Sequence, residues 1–186
     1  EGAFANAVRA VLAVGGSVNC IKHLQAVATE AGAGVDVYHL FETLSLDTPV
    51  LAGVRPVGTH TIEEFEAAGG CRAVLKQLSP LLDLQALTVQ GSMLGEQLRG
   101  TQVANAELIR PLSRPVSTRP AITLLRGSLA PEFGIVKTGI LERKSRRFEG
   151  PALCFSAADD AIAALQSGRI QPGHVVVMRG AGVRGG

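Results

Sequence analysis

"AITLLRGSLAPEFGIVKTG", residues 121–139, decides how the second half of this chain is read. Apolar and β-branched residues run on both sides of a Gly-Ser and Pro interruption, which predicts two strands around a proline-containing turn. A sheet at this point sets the C-terminal part of the chain apart from an N-terminal part whose hydrophobic period is helical.

Upstream, Phe4, Ala7, Val8, Val11 and Leu12 of "AFANAVRAVLAV" recur at helical spacing, and Gly15 and Gly16 stop that helix. A second helix starts after Ser17 or Asn19, either of which can cap free backbone N–H groups. It carries Cys20, Leu24, Val27, Ala28 and Ala31 along one side and ends at Gly32. Asp36 caps a third helix through Val37, Leu40, Phe41 and Leu44, after which "TPVLAGVRPVG" reads as an extended, loop-like crossing. Thr61 and Glu64 predict a capping box ahead of Phe65 and Ala68, and a short helix through Val74, Leu75 and Leu78 runs to Pro80.

Beyond Pro80 the period changes. "ALTVQG" and "FEGPALCF" read as strands and "SMLGEQLRG" as a short helix. "SAADDAIAALQSG" predicts a helix with a Ser156–Asp159 capping box and Gly168 as its stop, and "QPGHVVVMRG" a turn into a buried strand. The expected fold is an α/β portion, mostly helical here, over residues 1–80, joined to a β-barrel-like portion over residues 81–186 with one or two covering helices.

With 186 residues the chain can bury a core without disulfides or metal. Hydrophobic residues make up 46% against 18% charged, and a mean hydropathy of +0.25 implies apolar surface kept for a partner or for another part of a longer chain. The start "EGAF", without Met or leader, reads as a fragment or a processed product. Net charge is only +2, and the densest basic run, "RKSRR" at 143–147, has a single aromatic neighbour, Phe148. That run reads as a solvated loop, so no nucleic-acid partner is expected. The longest apolar runs are too short to span a bilayer, and no membrane partner is expected either. Cys20, Cys71 and Cys154 are odd in number, widely spread and without C-x-x-C spacing. They read as reduced cysteines, packed as small hydrophobes, in a cytoplasmic protein.

"GGSVNCIKHL", residues 15–24, leaves three readings open: a helix start that cradles an anion, a Cys20–His23 metal pair, or a plain helix start. The metal reading has two ligands where three or four are needed, and the anion reading lacks the P-loop spacing. Lys137, at a strand end, can neutralise an anionic substrate or lie with its stem on the sheet. No Ser–His–Asp arrangement surrounds Ser17.

Several longer segments bear on function together: residues 3–32 with their Gly-Gly-Ser-x-Asn, residues 50–70, "LRGSLAPEFGIVKT" at 125–138, and the F-x-G-P-A and P-G-x-V-V-V patterns within 148–177. In this order they resemble the dihydroxy-acid, phosphogluconate and sugar-acid dehydratase family. The resemblance implies a hydro-lyase that converts a 2,3-dihydroxy acid, a branched-chain amino-acid precursor or a sugar acid, to a 2-keto acid. It also implies an iron–sulfur cluster acting on the C3 hydroxyl, a Mg2+ ion on the carboxylate and C2 hydroxyl, an α/β domain carrying the cluster, a C-terminal β-barrel domain, and a homodimer. The family's cluster cysteines and most magnesium ligands correspond to sequence before Glu1, and its P-G-M glutamate and base serine to sequence after Gly186. Cys20, Cys71 and Cys154 are therefore not carried over, no catalytic or metal residue is assigned, and the isolated chain is expected to be inactive. Val18 stands where the family has the threonine of G-G-S-T-N. Gly16, Ser17, Asn19, Lys137 and Thr138 are the candidate substrate-binding or cleft-lining residues. The alternatives are a non-catalytic anion-binding or regulatory module on the same scaffold, and a structural interaction domain.

Overall fold

The computed structural model describes residues 1–138, 147–180 and 182. Most of the "RKSRR" run and most of the glycine-rich end lie outside the described residues. By its contacts the chain groups into Glu1–Leu141 and Glu142–Gly186.

The first unit opens with α1 (Gly2–Ala13), α2 (Asn19–Glu30) and α3 (Val37–Leu44). The apolar stripe of α1 is buried as its spacing predicts, through Val8 and Leu12. Asn6 is buried beside them because its amide donates to the Asp83 carbonyl at 2.8 Å and accepts from the Asp83 N–H at 2.9 Å, so both polar ends are satisfied. Along α2 the buried side is Ile21 and Ala28, while Val27 is exposed, a rotation of the stripe expected from sequence. Asp36 caps α3 by accepting from the His39 N–H at 3.0 Å.

Two core clusters fill this unit. One gathers Val8, Leu12, Ile21, Phe41 and Val50, and the other Leu51, Ala52, Phe65, Val74 and Leu78. The "TPVLAGVRPVG" crossing is the seam between them, with Val50, Leu51 and Ala52 all buried. Buried extended backbone needs partners, and they come from far along the chain. Leu51 donates to the Ala13 carbonyl at 2.7 Å, Val50 to Ser117 at 2.9 Å, and Arg110 donates to Leu51 at 2.9 Å.

Next come α4 (Ile62–Ala67), with the complete Thr61–Glu64 capping box, α5 (Gly70–Leu78) and the short α6 (Leu94–Gln97). The predicted strand "ALTVQG" is a turn instead. It makes a single bridge, Leu87 to Met93, and leaves Val89 fully exposed. The Gln97 amide holds the turn by reaching Thr88, Gln90 and Ser92, and side-chain bonds of this kind replace a ladder.

The opening segment of 121–139 forms β1 (Ile122–Gly127) and β2 (Ala130–Lys137), an antiparallel hairpin. The turn is Ser128–Leu129, and Pro131 lies inside β2 rather than in the turn. Ile122, Leu124 and Ile135 pack on the α1–α3 cluster. Tyr38 meets Phe133 with ring centroids 4.7 Å apart, and Arg126 pairs with Glu42 at 3.2 Å, which fixes the hairpin on α3.

In the second unit β3 (Ala152–Phe155) and β4 (Val175–Met178) pair in parallel, with α7 (Ala158–Gln166) between them in sequence. The strand, helix and strand read from the sequence therefore form a parallel strand–helix–strand unit rather than strands of a barrel, and parallel pairing requires such a crossover. β4 is half-exposed rather than buried. The Ser156–Asp159 box does not form, because α7 begins one residue later with Ala157 at its N-cap. Gly168 does end α7 in a left-handed conformation. Among the described residues the strands make two two-stranded sheets and no closed barrel, and no helix is long and apolar enough to cross a membrane.

Candidate functional site

The Gly15–Gly16 stop is a Schellman motif. Gly15 takes φ +59°, its N–H donates to Leu12, and the Gly16 N–H donates to Val11 at 2.8 Å. Two of the carbonyls left over by α1 are thereby satisfied, and the chain is turned at once into α2. A Cβ on Gly15 would lie 3.0 Å from the Val57 side chain, so the turn sits hard against the 53–60 loop. At the head of α2 the N-cap is Val18, which has no capping side chain. The Ser17 hydroxyl oxygen accepts from the Asn19 N–H at 3.2 Å. Its O–H remains able to donate. Among the described residues nothing accepts from the N–H groups of Ser17 and Val18.

Lys137 arrives at the same place from the hairpin. It stands directly opposite Ile122 across the β1–β2 ladder, and opposed residues share a face. Ile122 is fully buried. Lys137 is thus a cation on the core-facing side of the sheet, and a cleft at that edge receives it.

That cleft, of about 510 Å³, is bounded by the turn residues Gly15, Gly16, Ser17 and Val18, by Val54, Arg55 and Pro56 of the loop, by Ile62 and Phe65 of α4, and by Cys71 and Lys137. Its size suits a small molecule. Among the described residues its only charged lining residues are Arg55 and Lys137, both cations. The Arg55 side chain is held by donation to the Thr59 carbonyl at 2.9 Å. Partial desolvation, and then the Glu66 carboxylate, push the thiol of the largely exposed Cys71 above its ordinary 9.0. Apolar walls, two cations, a free hydroxyl and open N–H groups at a helix start together favour an anion with an apolar body. Other concavities are larger, but among the described residues the one of about 670 Å³ between α2 and α3 offers Asp36 and no cation, and the one of about 630 Å³ beside α7 sets Asp160 against Arg169.

Of the residues singled out in the sequence, Gly16, Ser17 and Lys137 meet in this cleft. Asn19 is exposed, with its backbone bonded to Ser17. Thr138 lies beyond the cleft wall, bonded to Pro120. Arg55, Phe65 and Cys71 were not foreseen. A lysine where the Leu124–Ile135 face calls for an apolar residue is the signal that marks the place. Cys71 and Cys154 are exposed, against the expectation that they pack as small hydrophobes.

The model of the dihydroxy-acid/6-phosphogluconate dehydratase N-terminal region matches residues 1–97, and that of the C-terminal region matches residues 107–186. The chain belongs to the dihydroxy-acid/6-phosphogluconate dehydratase family. Among its curated relatives, the dihydroxy-acid dehydratase of Caldanaerobacter subterraneus subsp. tengcongensis is 41% identical over 99% of this chain and 33% of its own length. That of Methanothrix thermoacetophila is 40% identical over 98% and 34%, and that of Ignicoccus hospitalis 38% over 99% and 34%. The chain thus spans about a third of the length of the relatives it matches.

Two of the family-like motifs turn out to be spatial partners. Ala152 of the F-x-G-P-A pattern pairs with Val175 of the P-G-x-V-V-V pattern. A Cβ on Gly150 would lie 2.0 Å from the Gly173 carbonyl oxygen, so the first motif needs glycine where the backbones touch, while Gly173 takes a positive φ of +94°. The dehydratase family implies a metal cluster, and the described residues do not fit one. Cys20, Cys71 and Cys154 sit on α2, α5 and β3, and among the described residues no three of His, Cys, Asp and Glu converge.

Proposed function

We propose that this chain is part of a hydro-lyase that removes the C2 proton and C3 hydroxyl of a 2,3-dihydroxy acid as water, giving a 2-keto acid after tautomerisation of the enol. Its role in that enzyme is to bind the anionic end of the substrate. The supporting observation is the convergence of Ser17, Arg55 and Lys137 on one cleft that no carboxylate lines among the described residues. A carboxylate there accepts from the Ser17 hydroxyl and faces two cations, and charge-assisted bonds of this kind fix orientation as well as affinity. Val18, Val54, Ile62 and Phe65 exclude water from around the substrate's carbon skeleton.

An iron–sulfur cluster and a Mg2+ ion belong to this reading only with ligands outside the 186 residues. The same proposal takes residues 1–80 as the end of the cluster-carrying domain and residues 81–186 as the start of a β-barrel domain, in a cytoplasmic homodimer.

The test is a dehydration assay with iron and sulfide analysis, run side by side on the isolated chain and on the full-length enzyme. The full-length enzyme is expected to turn over a dihydroxy acid and the isolated chain to show no turnover. Dehydration by the isolated chain would overturn the proposal.

A further inference from the structure

We propose that Thr138 is a positioning residue for Lys137, with its hydroxyl clasping the open end of the hairpin so that the Lys137 ammonium is held at the cleft. This inference rests on the reading of the cleft as the anion site. Among the described residues the regular ladder ends at the Ile122–Lys137 pair. It cannot run on past it through Pro120, which has no N–H to give.

The Pro120 carbonyl still needs a donor, and the Thr138 hydroxyl supplies it at 2.5 Å. The Thr123 and Thr138 hydroxyl oxygens lie 3.3 Å apart. Because Thr138 spends its one proton on Pro120, Thr123 is the donor in that contact. A relay from Thr123 through Thr138 to Pro120 therefore ties both strands together at the residue after Lys137.

The Thr138 hydroxyl, 3.3 Å from that of Thr123, lies on the opposite face of the sheet from Lys137. Thr123, next to Ile122, is on that outer face too. The clasp thus acts from outside the sheet on a side chain that points inward, and Thr138 itself does not border the cleft. Nearer the turn, the Tyr38–Phe133 contact and the Arg126–Glu42 pair anchor the other end of the hairpin. Beside the clasp, the Lys137 end is held by its ladder bonds and by the burial of Ile122 opposite it.

The test uses the full-length enzyme and a dihydroxy-acid substrate. Thr138→Val keeps the shape and removes the hydroxyl. It is expected to raise KM about 3- to 10-fold, the factor carried by one hydrogen bond of ordinary net strength, with kcat changed by less than about twofold. Thr138→Ser is expected to restore KM, and Thr138→Val to add nothing on a Lys137→Met background. In parallel, the acylation rate of the Lys137 amine by an N-hydroxysuccinimide ester is followed by mass spectrometry. Thr138→Val is expected to change that rate about threefold or more, and Thr138→Ser to leave it as it was. A KM effect that persists undiminished on the Lys137→Met background, or an unchanged acylation rate, would overturn the proposal. If Lys137→Met leaves KM unchanged, the reading of the cleft fails, and the acylation rate alone decides the clasp.

Discussion

The two compact units keep their shape by different means. In Glu1–Leu141 the large apolar side chains of α1, α3 and the 50–52 crossing are sealed from water, with Phe41, Leu12 and Leu51 at 0% exposure. In Glu142–Gly186 only Phe155 and Ala164 are buried hydrophobics among the described residues, while Ile162, Leu165, Val176 and Met178 all stand more than 40% exposed. The first unit is held by its core. The second is held by backbone pairing, by the Gly150–Gly173 contact and by the Schellman end of α7, where Gly168 donates to Leu165 and Arg169 to Ala164. Side-chain truncation should therefore cost very different amounts in the two.

The largest effect is expected for Phe41→Ala, at about 3–5 kcal/mol from lost burial and the cavity left behind. Ile162→Ala, at a residue 52% exposed, should fall within about 0.5 kcal/mol. Urea denaturation of the chain measures both. Equal losses would break the contrast between a core-held and a backbone-held unit.

A smaller effect is expected from pH. Arg9 grips Asp47 with two bonds, at 2.8 and 3.0 Å, and also reaches Thr48. The Arg9 hydrogen bond holds the Asp47 carboxyl below its ordinary 3.8. A depressed folded-state pKa means that this contribution is complete above the ordinary value and is lost as pH falls through the lowered one. Because the Asp47 side chain is half-exposed, solvent keeps the contribution modest. Denaturation midpoints measured down an acid series should drop less steeply for Asp47→Asn than for the parent chain. Identical slopes would remove the Arg9–Asp47 pair from the account of how α1 and the end of α3 are joined.

What the sequence makes legible here is local. Gly15, Gly32 and Gly168 end helices because a left-handed φ is cheap only for glycine. Asp36 and Thr61 start them because their side chains reach N–H groups three residues on. The hairpin reads correctly because its two strands are neighbours in sequence. What stays hidden depends on distant partners. Val50–Ala52 look like a loop from their prolines and glycines, yet they are buried because Ala13, Arg110 and Ser117 supply hydrogen bonds. The β3–β4 pair is hidden for the same reason, since its strands meet only through the α7 crossover. Ser17 and Lys137 share a cleft although 120 positions separate them, and no periodicity carries that information. Arg55 and Phe65, brought in by the loop and α4, are equally invisible to local pattern. The pieces of the site are legible one by one, and their convergence comes only with the packed helices.

The most direct test of the central claim is the KM of the full-length enzyme for a dihydroxy acid when Lys137 is replaced by Met. Loss of a charge-assisted bond to the substrate's anionic end predicts a KM raised by about tenfold or more, with kcat changed far less. A KM equal to that of the parent enzyme would contradict the assignment of this cleft to substrate binding.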